Sequence, residues 1–460
     1  MKKAVLTIAV ATAMVASLAA CTSNTTGSDA GGSGSAPGAS ALKDAKGVTN
    51  ITVWHGLGAA NGVAFNKLIS QFNTENKGKI NVSATYQGAY ADLLAKYTAS
   101  LRSNSAPTIV LAGDIATGYM TDVKQSISAA SMAKANPGDV KLNDLSAPAR
   151  NYYTVNGVEQ AVPMNVSTPM LWVNMDLLTK AGITDLSSLS TVDGMVAAAK
   201  AVAAKTGQKG FTMPDDDYYI EQLAATAGQA FCSPDNGRSG KAATGITISS
   251  GAAKTAVSKL VSLYTSGVAV DGSPDGSAGV SAFTAGKVGV MLNGSGLLGV
   301  LKAGVPFQYE ALPYPTSGSS SKAGPVTGGS AMWLSKSATK AQQVAGWKLE
   351  TFLTSPTSQE QFSQATGYTP INNKTGDLAS QKKFLATSAP TQAFLKQVKN
   401  TPVNTVTAGC VTGAMTNIRT ANVNQLQSAF AGMKSVDSAL SAMTASAQTA
   451  IAQYRQQLGQ

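Results

Sequence analysis

The chain has a single histidine, His55, and only three cysteines in 460 residues. One imidazole excludes any metal site or catalytic pair that calls for two, and three cysteines are too few for a disulfide scaffold. Charge is scarce as well: 35 Lys and Arg with 24 Asp and Glu make up 13% of the residues, about half the usual fraction. The formal balance is +11, or +9 once Lys2 and Lys3 are set aside as part of a leader. Because the basic residues are scattered singly, a solvated, mildly basic surface is expected and nucleic acid is not.

Catalytic motifs are missing too. The nearest string to GxSxG, Asn293-Gly294-Ser295-Gly296-Leu297, lacks glycine at both flanking positions. There is no HExxH, CxxC or EF-hand loop, and the one approach to a P-loop fails, since Gly286-Lys287 is followed by Val288. No metal or cofactor is therefore expected, and no enzyme. A glycosidase needs only two carboxylates, so a surface-anchored glycoside hydrolase stays open as an alternative. With 43% hydrophobic residues the chain can fill the cores of two lobes, and its 45 Gly and 17 Pro follow no three-residue period. No repeat of 20 to 50 residues is seen, which argues against a solenoid or propeller.

Residues 1–21 read as a secretory leader: Met1-Lys2-Lys3, an apolar run from Ala4 to Ala20, then Cys21. Leu18-Ala19-Ala20-Cys21 resembles the bacterial lipobox, which implies lipidation of Cys21 and an extracytoplasmic protein anchored to the cell membrane. Residues 22–46, rich in Gly and Ser, are expected to form a flexible tether of roughly 25 to 30 Å reach. No later segment has 18 unbroken apolar residues, so the remainder is expected to be soluble.

From Asn50 onward, β-rich and helical runs alternate: strands at Ile51–His55, Lys79–Tyr86 and Thr108–Ala112, with helices near Asn61–Phe72 and Tyr90–Arg102. The rhythm returns at Met170–Asn174, with a helix from Asp176, and at Val288–Leu292, with a helix over Leu297–Lys302. This predicts an α/β fold. A helical tail is expected from Asn422 to Gln456, and the Pro- and Gly-marked segments 154–163 and 313–329 are expected to cross between lobes.

Taken in order, Tyr86-Gln87-Gly88-Ala89-Tyr90, Ala106-Pro107-Thr108-Ile109-Val110, Val166-Ser167-Thr168-Pro169, Phe283-Thr284-Ala285-Gly286-Lys287, Gly328-Gly329-Ser330-Ala331-Met332-Trp333, Thr366-Gly367-Tyr368-Thr369-Pro370-Ile371 and Asn417-Ile418-Arg419 resemble the extracellular solute-binding proteins of ABC importers. The likeness spans about residues 48–455 and is greatest to the branch that binds sn-glycerol 3-phosphate and glycerophosphodiesters. It implies a two-lobed α/β fold of the periplasmic-binding-protein kind (type II), with the ligand in the cleft between lobes. The first lobe would comprise 47–160 and 325–370, the second 161–324 and 371–460. The resemblance further implies ABC importer permease subunits as partners and a small phosphorylated polyol or a sugar as ligand; a monomer is expected.

Carried over by motif, the ligand contacts would be Tyr90, Asp114, Gly329 and Tyr368 from the first lobe and Ser167, Ser295, Gly296 and Arg419 from the second. Arg419 offers forked donors suited to phosphate, or is an ion-paired surface Arg. Ser295 and Gly296 begin a helix whose free N–H groups would face an anion, or simply cap it. Asp114 would accept from glycerol hydroxyls, and Tyr90 and Tyr368 would stack on the carbon skeleton or fill the core. His55 is read as structural. Where the family often carries Trp, this chain has Pro214-Asp215-Asp216-Asp217-Tyr218-Tyr219. Three carboxylates with Tyr218 would oppose a bare phosphate and welcome a cation, which favours glycerophosphocholine; a solvated acidic cap is the alternative. The same fold binding a neutral mono- or oligosaccharide is the second reading of the ligand. In an exported protein a Cys232–Cys410 disulfide is favoured over free thiols, and the resemblance puts both cysteines in the second lobe.

Overall fold

The computed structural model describes residues 36–459; the leader and Cys21 lie outside the described residues. Strands are Thr49–His55 (β1), Ile80–Tyr86 (β2), Ile109–Gly113 (β3), Ser126–Ile127 (β4), Val162–Ser167 (β5), Pro169–Asn174 (β6), Lys209–Thr212 (β7), Val288–Gly294 (β8), Tyr309–Pro313 (β9) and Gly328–Ser335 (β10). They build two main sheets. The first runs β2-β1-β3-β10-β4, with β5 also on β10; the second runs β9-β6-β8-β7. In the first, β1 pairs in parallel with β2 and β3, while β10 runs antiparallel to its neighbours.

Alternation in β1, with Ile51, Val53 and His55 inward, gives that strand one buried face, whereas β3 is buried at every residue, as a central strand covered on both sides must be. Helix α1 (Ala59–Glu75) turns Phe65, Leu68, Ile69 and Phe72 into the first core at helical spacing. The helices that shape the site and its surroundings are α2 (Tyr90–Arg102), α3 (Ala147–Tyr152), α4 (Asp217–Ala225), α5 (Lys340–Leu353), α6 (Ala379–Ala386), α7 (Ala389–Asn400), α8 (Met415–Phe430) and α9 (Val436–Gln457). Phe65 and Trp347 of α5 share one apolar cluster on the first sheet; Leu171, Val290, Ile418 and Met443 share another on the second.

The chain passes between sheets at Thr168, which separates β5 from β6, and again between β9 and β10. The first passage lies later than the boundary expected at 160, so Val162–Ser167 pairs with the first sheet. Segment 154–163 carries instead a small hairpin, Thr154–Val155 with Val158–Glu159. Thr168 is buried, and Gln397 on α7 donates to both its hydroxyl and the Pro169 carbonyl.

Two expectations are corrected. The tether does not run free to residue 46: Pro37 is buried, its carbonyl accepts from Asn136 Nδ2 (3.0 Å), and Leu42 of the short helix Ser40–Lys43 packs on the first core. A proline and a leucine in that stretch supply the apolar contact its Gly/Ser composition hides. The tail is two helices, since α8 ends at Phe430 and the chain turns through Gly432 at φ +69° before α9 begins.

Candidate functional site

Asp114 follows β3 directly. Its Oδ1 accepts from Ile115 N (2.6 Å) and its Oδ2 from Gly329 N (3.1 Å) at the start of β10. Gly329 sits at φ +135°, and a Cβ there would lie 2.3 Å from Asn165 O, so only glycine lets the strand bring its N–H to the carboxylate. Burial raises the Asp114 pKa, while Arg419 and the two backbone donors work against it.

Gly328 marks the centre of the site. A Cβ on it would stand 3.0 Å from Asp114 Oδ2, 3.0 Å from Ser167 Oγ and 3.3 Å from Tyr218 Oη. Three side chains from three separate stretches of sequence thus converge on one bare Cα. Tyr218 donates its hydroxyl to Val326 O (3.1 Å), and its ring faces Arg419, whose Cζ is 5.3 Å from the ring centroid.

Arg419, on α8, is already held by carboxylates. Its Nε lies 3.3 Å from Asp217 Oδ1, and one terminal nitrogen lies 3.3 Å from Glu221 Oε2. Asp217 and Glu221 stand four apart on α4 and therefore on one face. Each is pinned from behind: Asn422 Nδ2 donates to Asp217 Oδ2 (2.7 Å) and Cys410 N to Glu221 Oε1 (2.8 Å). Asp216 accepts from Tyr218 N (2.9 Å) and caps α4. Burial alone would lower the Arg419 pKa, but Asp216, Asp217, Glu221 and Asp114 outweigh it and raise it. Burial pushes Asp217 up to about 7 against the pull of Arg419, and raises Glu221 in the same way.

Tyr90 begins α2, its ring wedged between two glycines: a Cβ on Gly56 or Gly113 would approach it to 2.7 or 2.8 Å. Its hydroxyl is buried without a hydrogen-bond partner; the neighbouring Ser330 hydroxyl donates to Asn165 Oδ1 (2.8 Å). Burial raises its pKa, as it does that of Tyr368, which reaches about 12 with Asp114 adding to the shift. Asp114, Ser167 and Tyr218 thus meet around Gly328, Gly329 is bonded to Asp114 and Arg419 lies against Tyr218, with Tyr90 and Tyr368 close enough to Asp114 to feel its charge.

Ser295 and Gly296 differ. Ser295 N donates to Thr168 O (2.8 Å) and its Oγ accepts from Thr168 N (3.2 Å), so this serine is tied to the crossing strand and its N–H does not face a ligand. Nothing lies within 4 Å of a Cβ on Gly296. Of the acidic run, Asp215 and Asp217 are buried, which rules out a wholly solvated cap. Glu221 was not anticipated; its only signal in the sequence is the spacing of four from Asp217. His55 is buried between Phe65 and Tyr86, at centroid distances of 5.1 and 5.9 Å, with a pKa lowered by burial. Cys232 and Cys410 are bridged, their Cα atoms 5.5 Å apart, and both belong to the core of the second sheet. Among the described residues no helix is long and apolar enough to cross a membrane.

These features are those of a two-lobed α/β solute-binding protein. Residues 67–391 match the model of the family described as bacterial extracellular solute-binding protein, and the chain belongs to that family. It is 24% identical over 409 residues to the sn-glycerol-3-phosphate-binding periplasmic protein UgpB of Escherichia coli O1:K1, covering 88% of this chain and 92% of that protein. Among solved structures it resembles UgpB from Mycobacterium tuberculosis in complex with glycerophosphocholine, with TM-score 0.73, 19% identity, and 88% and 98% of the two chains covered. The GacH receptor of Streptomyces glaucescens, solved with acarbose, is comparable at TM-score 0.71, 20% identity and 88% and 99% coverage. So is the sugar-binding protein MalE of Xanthomonas citri, at 0.72, 19%, and 90% and 100%.

Proposed function

We propose that this chain is the solute-capturing component of an ABC importer, anchored outside the membrane by a lipid on Cys21 and acting as a monomer without turnover. Its two lobes, divided near Thr168 and between β9 and β10, close on a hydroxyl-rich solute and present it to permease subunits. Closure follows because ligand contacts from both lobes are available together only in the shut state.

The observation that carries the choice of ligand is the charge around Arg419: one guanidinium is surrounded by Asp114, Asp216, Asp217 and Glu221. A phosphomonoester, close to two negative charges at neutral pH, would meet this excess of carboxylates at short range. A glycerophosphodiester with a choline head brings one negative and one positive charge. Three N–H groups of Arg419 remain for its phosphate beyond the two turned to Asp217 and Glu221, and the carboxylates and the Tyr218 ring suit its ammonium. Asp114 accepts from the glycerol hydroxyls. We therefore favour glycerophosphocholine over sn-glycerol 3-phosphate. A neutral mono- or oligosaccharide is the second reading, supported by the same charge balance and by Tyr90, Tyr218 and Tyr368 as stacking surfaces.

Calorimetric titration with glycerophosphocholine, sn-glycerol 3-phosphate, glucose and maltose tests the choice. The diester is expected to bind at least about tenfold more tightly than the monoester; tighter binding of the monoester would sink this reading, and binding of a sugar alone would establish the second.

A further inference from the structure

Basic residues that stand singly in the sequence are gathered by the first sheet. β1, β2 and β3 run parallel, β10 runs antiparallel to them, and β4 pairs antiparallel with the last residues of β10. The starts of β1 to β4 and the end of β10 therefore share one end of the sheet. Each of the five strands brings a cation there: Lys46 before β1, Lys79 before β2, Arg102 at the end of the α2 helix that leads to β3, Lys124 before β4 and Lys336 after β10. Strands about 4.8 Å apart set these five within roughly 20 Å. Lys336 Nζ donates to the Lys124 carbonyl (2.8 Å), which places the last two side by side, and Lys340 begins α5 four positions further on. We infer that this basic end of the first lobe is a docking surface for the anionic lipid headgroups of the membrane.

Lys46, Lys79, Arg102, Lys124 and Lys340 are exposed and Lys336 is half-buried; among the described residues none of them takes part in an ion pair. Asp44 and Glu75 on the adjoining turns, and Asp122, which accepts from the Tyr454 hydroxyl, are too few to neutralise them. Val48, 45% exposed between Lys46 and β1, adds an apolar contact at the same place.

The way the chain enters the body argues for a membrane as the occupant. The described residues begin at Ala36 and reach β1 through the helix Ser40–Lys43, whose Leu42 packs on the first core. Fifteen positions separate Cys21 from Ala36, at most about 50 Å of chain. The inference rests on the proposed lipid at Cys21 for where the protein stands, and not on which solute it binds. Anionic headgroups attract Lys and Arg only within a Debye length, about 8 Å at physiological salt, so cations gathered on one face act together where dispersed ones do not. Asp114 follows β3 and Gly328 begins β10 at the opposite end of the same strands. A body resting on its basic end thus keeps the cleft turned from the lipid and open to solute.

The test is co-sedimentation of the chain from Thr22 onward with sucrose-loaded vesicles; the lipid is left off because an acyl chain would bind any bilayer. Vesicles of phosphatidylcholine with about 30% phosphatidylglycerol should retain at least about fivefold more protein than phosphatidylcholine alone at about 50 mM salt, and the excess should vanish at about 500 mM. Lys46→Glu/Lys79→Glu/Lys340→Glu should abolish the excess while leaving the melting temperature nearly unchanged, since all three side chains are exposed. Lys200→Glu/Lys205→Glu/Lys287→Glu, the same change of net charge on exposed positions of the second lobe, should retain most of it. No excess on the anionic vesicles overturns the inference. So does equal loss in the two triple variants, which would make the attraction one of net charge alone. Tighter binding to soluble polyphosphate than to vesicles of equal phosphate content would assign the face to an anionic polymer and overturn the choice of lipid. The anchor is checked separately, by the mass of the Cys21 peptide from the native protein, so its failure is told apart from failure of the docking surface.

Discussion

Glu221 joins the disulfide loop to the ligand cleft: one of its oxygens lies 3.3 Å from Arg419 and the other accepts from the backbone N–H of Cys410 at 2.8 Å. Arg419, the side chain proposed to meet the ligand, is thus held by a carboxylate that is itself bonded to the main chain of the Cys232–Cys410 bridge.

Replacing Arg419 by Ala would leave two carboxylates, each no more than 2% exposed, without their cation. The unfolding free energy should fall by about 3 kcal/mol or more in urea titrations. Ligand affinity should drop by about 2 kcal/mol or more as a charge-assisted pair is lost in a desolvated cleft. Adding Asp217→Asn and Glu221→Gln should restore most of the stability and none of the affinity. A triple variant as unstable as the single one would show that the ion pairs are not what Arg419 contributes.

Gly328→Ala is expected to leave the fold intact, because the contacts it creates, 3.0 to 3.3 Å from Asp114, Ser167 and Tyr218, need shifts of only a few tenths of an ångström. Those shifts fall on the groups that would hold the solute. Calorimetry should show at least about a tenfold loss of affinity, with the melting temperature nearly unchanged; equal affinity would mean that the ligand sits elsewhere.

Stability should depend on pH through the acidic run. Burial raises Asp215 to about 7, with the neighbouring Asp271 reinforcing the shift, and raises Asp217 to about 7 as well. A carboxyl whose folded pKa exceeds its unfolded value favours folding fully below the unfolded value, near 4, and that contribution is lost as pH rises through about 7. Unfolding free energy should therefore decline between about pH 4 and 7. Asp215→Asn should flatten the decline by on the order of 2 kcal/mol. Parallel pH profiles for the variant and the parent protein would contradict the assignment.

Removing the disulfide as Cys232→Ser/Cys410→Ser opens a link between residues 178 apart. A loss of about 2–4 kcal/mol is expected, read from denaturant midpoints. Because Cys410 N–H holds Glu221, ligand affinity should fall too. Unchanged affinity would uncouple the bridge from the site.

Much of this was legible from local signals. The Tyr90–Arg102 helix has the bounds its pattern predicts, and β3 and β8 stand on the short apolar runs Thr108–Ala112 and Val288–Leu292, extending one and two residues further, to Gly113 and Gly294. The motif strings hold Ser167, Gly329 and Arg419, while Asp114 follows a strand and Tyr218 stands in the acidic run; the convergence of Asp114, Ser167 and Tyr218 on Gly328 depends on the antiparallel pairing of β10 with β3 and β5. What the sequence hid is nonlocal. Glu221 reads as one polar residue in a mostly apolar helix until Arg419, 198 positions away, is placed beside it. Ser295 looks like a free cap until its N–H donates to Thr168 and its hydroxyl oxygen accepts from Thr168. The division of the tail at Gly432 is weaker than the helical periodicity on either side, which runs across it.

Arg238 adds a kinetic side to this architecture. Its buried guanidinium donates to the carbonyls of Gly409 (2.6 Å), Thr154 (2.8 Å) and Tyr152 (2.9 Å) and lies over the Tyr152 ring. It therefore stitches main chain next to the disulfide onto main chain just ahead of β5. Any yawning motion that separates those stretches must first rehydrate a guanidinium and several peptide oxygens at once. Dwell time in the shut form, and hence how long cargo is retained for delivery, would then be set in part by a residue outside the contacts proposed for the cargo.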